Sequence, residues 1–167
     1  MPELLDKNGL TEEQAIARYR SKNYPKPALT ADNVIFRKED GLIKLLLIRR
    51  GGHPFIGKWA LPGGFANENE PVEITAAREL MEETGLTGIP QRFSGFYSAP
   101  GRDPRGWVVS AAFAALVEDG AYNAVAADDA DDAKWFTVEN GTIKELAECD
   151  LAFDHARIIS DAAKLML

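Results

Sequence analysis

A mixed α/β or α+β domain is the fold class this sequence predicts, and three observations predict it. Apolar runs with strand character recur along the chain, at Val34-Ile35-Phe36, Leu42 to Ile48, Arg92 to Ser98, Trp107 to Val117 and Lys134 to Val138. Helical patterns are interspersed among them, most clearly over residues 71–84. The 167 residues are enough for one hydrophobic core, and no linker, internal repeat or low-complexity tract divides them. The expectation is therefore one domain over residues 1–167, with an N-terminal helix at about 11–20 as an extension.

Thr11-Glu12-Glu13-Gln14 matches a capping box and opens that first helix. Tyr24-Pro25-Lys26-Pro27 ends it, because a residue before proline is pushed out of the helical region. Asp40-Gly41 between the next two apolar runs reads as a hairpin turn. Gly51-Gly52-His53-Pro54 reads as a loop, Lys58 to Leu61 as a short strand, and Pro62-Gly63-Gly64 as a tight turn. Pro71 suits the first turn of the central helix and Gly85 its end. Residues 99–106 join two further strands, and two short helical segments, 142–148 and 151–165, finish the chain.

Composition narrows the function. Twenty-six acidic and 19 basic residues give a formal charge of −7, which argues against nucleic acid as a partner, since that binding needs clustered positive charge. Nucleotides stay open, because bound cations can bridge carboxylates to phosphates. Cys149 is the one cysteine, which excludes an internal disulfide and a cysteine-rich zinc site. It is expected to be at least partly buried. The longest apolar runs are too short to cross a bilayer, and the N-terminus lacks the basic start and apolar core of a secretion signal. A cytoplasmic protein without a membrane partner is the expectation.

The chemistry concentrates on the helix after Pro71. Glu79, Glu82 and Glu83 stand three and four residues apart and share one side, with Val72, Thr75 and Ala76. Ile74, Ala77, Leu80, Met81 and Thr84 fall on the other side, which is the expected core contact. Like charges so close repel by a few tenths of a kcal/mol per exposed pair, and Arg78 offsets only part of this. Spacing alone leaves two readings, a solvated acidic face and a site for a hard divalent cation. The glycine turn just upstream, able to bring backbone close to a ligand, favours the second.

From Gly64 the sequence reads glycine, five residues, Glu70, seven residues, Arg78-Glu79-Leu80, Met81, Glu82-Glu83, Thr84, Gly85-Leu86. This run of 23 residues, fixed at nine positions, resembles the Nudix hydrolase motif without a departure. The likeness extends over roughly residues 24–165 and is greatest to the ADP-ribose pyrophosphatase group and to Nudix domains of NAD-metabolism regulators. It rests there on Tyr24 to Thr30, Arg49 to Phe55, Trp59 to Gly64 and Ser98 to Gly106. Pro100, fourteen residues past Leu86, fits a proline that ADP-ribose-cleaving groups tend to carry.

The resemblance implies a Nudix α/β/α sandwich, a mixed sheet between helices. It implies hydrolysis of a nucleoside diphosphate derivative with magnesium or manganese, ADP-ribose to AMP and ribose 5-phosphate foremost. Glu79 and Glu83 would hold the metal, with Glu82 and the Gly63 carbonyl contributing. Arg78 would orient the carboxylates, supported by Glu70 and Gly64. The general base stays open among the box glutamates and the downstream Glu118, Asp128, Asp129, Asp131 and Asp132.

Substrate contacts are expected from Arg49, where alternation sends one of Arg49 and Arg50 inward, and from Arg102, Asp103 and Arg105. Loop-closing ion pairs are the other reading of Arg102 and Arg105. His53 reads as a loop residue and His155 as packed or solvent-exposed. Trp59, Phe93, Phe96, Tyr97, Trp107 and Phe113 are expected mostly in the core. Two rival functions remain: a hydrolase clearing non-standard or oxidised nucleoside triphosphates, and a domain that senses ADP-ribose without cleaving it. Regulators of the second kind usually attach a DNA-binding helical module, and none is expected here after residue 165. The first helix and residues 24–30 suggest an edge that a second subunit would cover in a homodimer.

Overall fold

The computed structural model describes residues 4–122 and 133–167. Its centre is β1 (Ala28–Glu39), a run long enough to serve three neighbours. β1 pairs in parallel with β6 (Val108–Glu118) along its length, and antiparallel with β2 (Leu42–Arg49) only from Phe36 onward. Its Thr30–Asp32 segment pairs instead with the short β4 (Gly63–Phe65), while β3 (Trp59–Ala60) pairs with the end of β2. With β5 (Arg92–Tyr97), β7 (Ala133–Glu139) and β8 (Thr142–Ile143), the sheet runs β5-β6-β1-β2-β7-β8. It is mixed, as expected.

Both faces are apolar because successive side chains of these strands alternate between two buried layers. Val34, Phe36, Leu45, Leu47, Ala112 and Ala114 pack against Ile158, Ile159, Ala162 and Ala163 of the last helix, α3 (His155–Met166). Ala31, Ile35, Leu46 and Ala111 face the other way, where Ala76 and Leu80 of α2 (Val72–Thr84) cover them. The result is the α/β/α sandwich. Between the β2 and β4 pairings of β1, the fully buried Asn33 donates to the carbonyls of Pro62 (3.0 Å) and Ala76 (3.1 Å) and accepts from Gln91. That side chain stitches α2 and the glycine segment to the sheet.

Several elements match their sequence reading. α1 (Glu12–Ser21) has the Thr11/Gln14 capping box, and Asp40-Gly41 turns a hairpin. α2 ends at Gly85 in the left-handed region. Others differ. The segment read as a tight turn at 62–64 is partly strand, because Gly63 and Gly64 lie close enough to β1 to pair with it. Residues 142–148 are not helical. Asn140 (φ 53°) and Gly141 (φ 76°) form a second hairpin turn, so Thr142–Ile143 return along β7. Only a single 3₁₀ turn, Glu148–Asp150, precedes α3.

The core face of α2 is also corrected. Thr75, Ala76, Leu80 and Thr84 are buried, whereas Ile74 and Met81 are 56% and 44% exposed. Small residues let the helix approach the sheet more closely than Ile74 or Met81 would, and this rotates the carboxylates towards the core edge. Phe93, Phe96 and Trp107 are exposed rather than core, being on or beside the edge strand β5. Cys149 is exposed too, in the 3₁₀ turn. Among the described residues, no helix is long and apolar enough to cross a membrane.

Candidate functional site

The site is built where α2 meets β4. Gly63 donates its backbone N–H to Glu83 Oε2 at 2.8 Å. A Cβ on Gly64 would stand 2.5–2.6 Å from the Glu79 carboxylate, so only glycine allows this contact. A Cβ on Gly63 would collide with the Ala31 carbonyl and stand 2.9 Å from Asp32 Oδ1. The glycine pair is thus the thin partition that lets carboxylates of a helix and a strand converge.

Arg78 organises the helix side. Its Nε and Nη2 donate to the two oxygens of Glu70, both at 3.0 Å, and its Nη1 to Glu79 at 2.6 Å and Glu82 at 3.2 Å. Nη2 also reaches the Phe65 carbonyl. Glu70 is held well below the usual carboxylate range, by the Arg78 hydrogen bonds first, then by the Asn67 amide and the Thr75 hydroxyl. Glu83 is pushed the other way, up to about 7. Burial is the main cause, and the charges of Glu79 and Asp32 add to it against the Gly63 hydrogen bond.

This donor set fits a hard divalent cation. The oxygens are carboxylate and backbone, and Glu83 lies among negative charges with no arginine of its own in hydrogen-bond contact. As placed, no three Asp, Glu, His or Cys side chains among the described residues converge tightly enough to hold a metal. Arg78 occupies the position of countercharge for Glu79 and Glu82, and Glu82 is half exposed.

On the α3 side of the glycine pair lies a cavity lined by Asp32, Arg50, Arg102, Asp103, Arg105 and Phe153. Arg102 makes a bidentate pair with Asp154 (2.9 and 2.6 Å), and Arg105 clasps the buried Asp103 (3.0 and 2.7 Å). Burial alone would raise Asp103, but Arg105 brings it below its ordinary value. The Arg105 guanidinium lies 4.7 Å from the Phe65 ring, and that of Arg50 lies 5.0 Å from the Phe153 ring. Burial and the charge of Arg105 lower Arg50. His155 is buried, and its Nδ1 accepts from the Leu61 amide at 2.9 Å. Burial depresses its pKa despite Asp32, so the ring is neutral, with its proton on Nε2.

The structure therefore brings together Gly63, Gly64, Glu70, Arg78, Glu79 and Glu83, with Arg102, Asp103 and Arg105 on the adjoining cavity. Arg49 is not brought there. It is exposed, and its Nε donates to the Gly57 carbonyl, while Arg50 takes the cavity side. Glu118 stands at the far end of β1, opposite Lys38. Asp128, Asp129, Asp131 and Asp132 lie outside the described residues. Sequence reasoning overlooked Asp32, whose signal was an acid just ahead of the apolar run Val34-Ile35-Phe36, and Phe153, which carries none.

The comparisons with known proteins agree with this geometry. The NUDIX domain family model matches residues 26–159. An ADP-ribose pyrophosphatase of Methanocaldococcus jannaschii is 40% identical over 91% of this chain and 81% of its own length. The NUDIX domain of Shewanella oneidensis NrtR, solved with ADP ribose, is 33% identical with a TM-score of 0.77, covering 93% of this chain and 99% of that one. NrtR complexed with a 27mer DNA is 34% identical with a TM-score of 0.69, covering 82% of this chain and 61% of that one.

The last likeness corrects the expectation that nucleic acid is excluded as a partner. A net charge of −7 is a sum over the whole surface, and binding DNA needs only a local concentration of positive charge. This chain also spans less than two thirds of that DNA-bound relative, so its bulk charge is silent about the remainder. With the motif intact, its side chains converging on the glycine pair and the family model spanning most of the sequence, the chain belongs to the Nudix family.

Proposed function

We propose that this protein hydrolyses the diphosphate of ADP-ribose to give AMP and ribose 5-phosphate. One observation carries the reading: the carboxylates of Glu79 and Glu83 meet Gly63-Gly64 at the rim of a cavity furnished with three arginines. The similar archaeal pyrophosphatase and the ADP ribose-bound relative support the choice of substrate.

Glu79, Glu82, Glu83 and the Gly63 carbonyl would hold magnesium or manganese. When bound, the metal neutralises diphosphate oxygens and lowers the pKa of water. The protein's own residues set the frame. Arg78, fixed by Glu70, holds Glu79 and Glu82 in place, and the Gly63 amide orients Glu83. Arg50 and Arg105 face the cavity and offer donors to phosphate oxygens. The free, exposed Cys149 suits the reducing cytoplasm.

The test is a panel of ADP-ribose, other nucleoside diphosphate sugars, dinucleotides and nucleoside triphosphates, each with magnesium or manganese and with products separated by chromatography. AMP and ribose 5-phosphate from ADP-ribose, at the highest specificity constant of the panel, is the expected result. Pyrophosphate release from a triphosphate at a higher specificity constant would replace this reading with nucleotide-pool clearance. A homodimer belongs to the same proposal: α1 has no buried residue, and Ile16 and Tyr19 on it are 44% and 61% exposed. Sedimentation should give about twice the 18.3 kDa chain mass, and a mass near one chain at assay concentration counts against it.

A further inference from the structure

Two acids, Asp32 and Asp103, line the cavity beside the glycine pair, and one of them is fully engaged. Asp103 is clasped by Arg105, and the lining Arg102 is itself held by Asp154. Asp32 differs. Its residue is 7% exposed, its Oδ2 accepts from the Ser110 hydroxyl, and its Oδ1 accepts no hydrogen bond from the described residues. His155 Nε2 is 3.7 Å from it, beyond hydrogen-bond reach. That oxygen is open to the cavity, which Asp32 lines, and is free to accept from a ligand there.

Its surroundings limit what can satisfy it. Arg50 lines the same cavity and uses only Nε, towards the Pro54 carbonyl, so its two terminal nitrogens are free among the described residues. Arg102 and Arg105 add positive charge nearby, which disfavours a cation on Asp32. A neutral donor covalently attached to an anion suits the pair: a hydroxyl for Asp32 and a phosphate for Arg50.

We propose that Asp32 is a specificity-determining residue, accepting a hydrogen bond from a hydroxyl of the terminal ribose while Arg50 takes the attached phosphate. The inference rests on the ADP-ribose reading above and deepens it. It makes the cavity a reader of phosphorylated polyols. A nucleoside triphosphate, which ends in phosphate oxygens without a hydroxyl, leaves Asp32 unsatisfied there.

The test pairs Asp32→Asn with analogues of ADP-ribose that lack one hydroxyl of the terminal ribose at a time. Asparagine keeps size and can still accept from Ser110, but presents an amide donor to the cavity. For the wild-type protein, removing the hydroxyl that Asp32 reads should lower kcat/KM roughly tenfold or more. Asp32→Asn should lose a similar factor on ADP-ribose and discriminate between it and that analogue by less than about twofold. This non-additivity is what a merely structural role would not produce. Full discrimination retained by a folded Asp32→Asn, checked by circular dichroism and melting, overturns the inference.

Should Asp32→Asn not fold, Asp32→Ser and the wild-type analogue series decide. Equal turnover of every analogue by the wild-type protein overturns it, and a selective loss at one hydroxyl supports it. Cleavage of ADP-ribose without hydroxyl discrimination removes only the role of Asp32. No cleavage of ADP-ribose removes the underlying reading as well.

Discussion

Asp32 and Glu83 reach Gly63 from opposite sides of the sheet: Glu83 Oε2 accepts from the Gly63 amide at 2.8 Å, and Asp32 Oδ1 lies 2.9 Å from where a Gly63 Cβ would stand. The two carboxylates belong to different layers, one on α2 and one beside α3. The glycine pair of β4 is thin enough for each to feel the other, and Asp32 contributes to the raised pKa of Glu83. The helix-borne acids and the arginine-lined cavity are therefore one electrostatic unit.

Glu83→Gln keeps the size of the side chain and removes its charge. The expected outcome is a loss of at least about a hundredfold in kcat with the fold intact. The metal-free variant should melt no lower than the parent near neutral pH, because the repulsion from Glu79 and Asp32 is relieved. Near-parental turnover at saturating magnesium would remove Glu83 from the machinery.

The same residue sets a pH dependence. Its folded pKa, about 7, lies above the ordinary 4.5, so the folded state holds the proton more tightly than the unfolded chain. That contribution to stability is complete below about pH 4.5 and is lost as pH rises through about 7. The shift corresponds to at most about 3 kcal/mol. Denaturant titrations of metal-free protein between pH 4.5 and 8 should show the decline, and Glu83→Gln should flatten it. Glu70 runs in the opposite sense. Its pKa is depressed, so what it contributes is present above about 4.5 and fades as the medium is acidified.

The two glycines should respond differently to alanine. At Gly64 the added methyl meets the end of the Glu79 side chain, which can swing away. The fold should survive while Glu79 leaves its place, with a loss of activity on the order of tenfold to a hundredfold. At Gly63 the methyl meets the backbone of Ala31, which cannot yield without breaking the β1–β4 pairing. There the cost should be in stability, about 1–3 kcal/mol, read as a lower denaturation midpoint. Equal melting of both variants would contradict the distinction.

The sequence showed the motif helix, its glycine stop, the Asp40-Gly41 hairpin and the capping box of α1, because each depends on neighbours within a few residues. It misled where distant packing decides. Ile74 and Met81 looked like core by hydrophobicity, yet Thr75 and Ala76 are buried instead, since only small side chains let α2 close on Ala31 and Ala111. Residues 142–148 looked helical by spacing, yet pairing with β7 and the Asn140-Gly141 turn prevail. Asp32 was illegible for the same reason. It is one of several polar residues in β1, and its meaning comes from Ser110, His155 and Gly63, each at least 31 positions away in sequence.

Arg102 and Arg105 should separate structural support from recognition. The Arg102 side chain is 5% exposed and locked in a bidentate pair with Asp154, just ahead of α3. Arg102→Ala strands a partly buried carboxylate at the start of that helix, so the larger effect should be on stability. About 3 kcal/mol is the scale for breaking a buried pair, a fall of several degrees in Tm.

Arg105 is more open, at 38% side-chain exposure, and its guanidinium lies between the rings of Phe65 and Phe153 at 4.7 and 5.3 Å. It can turn a donor to a phosphate while still holding Asp103. Arg105→Ala should therefore lower kcat/KM for ADP-ribose roughly tenfold or more, the scale of one charge-assisted hydrogen bond. Arg105→Lys keeps the charge for Asp103 but loses the planar fork, and should recover stability before it recovers turnover. Melting curves and kcat/KM on ADP-ribose and on a nucleoside triphosphate, at fixed metal, distinguish these effects. If Arg105→Ala changes kcat/KM for ADP-ribose by less than about twofold, the residue serves Asp103 alone, and recognition of the phosphates falls to Arg50.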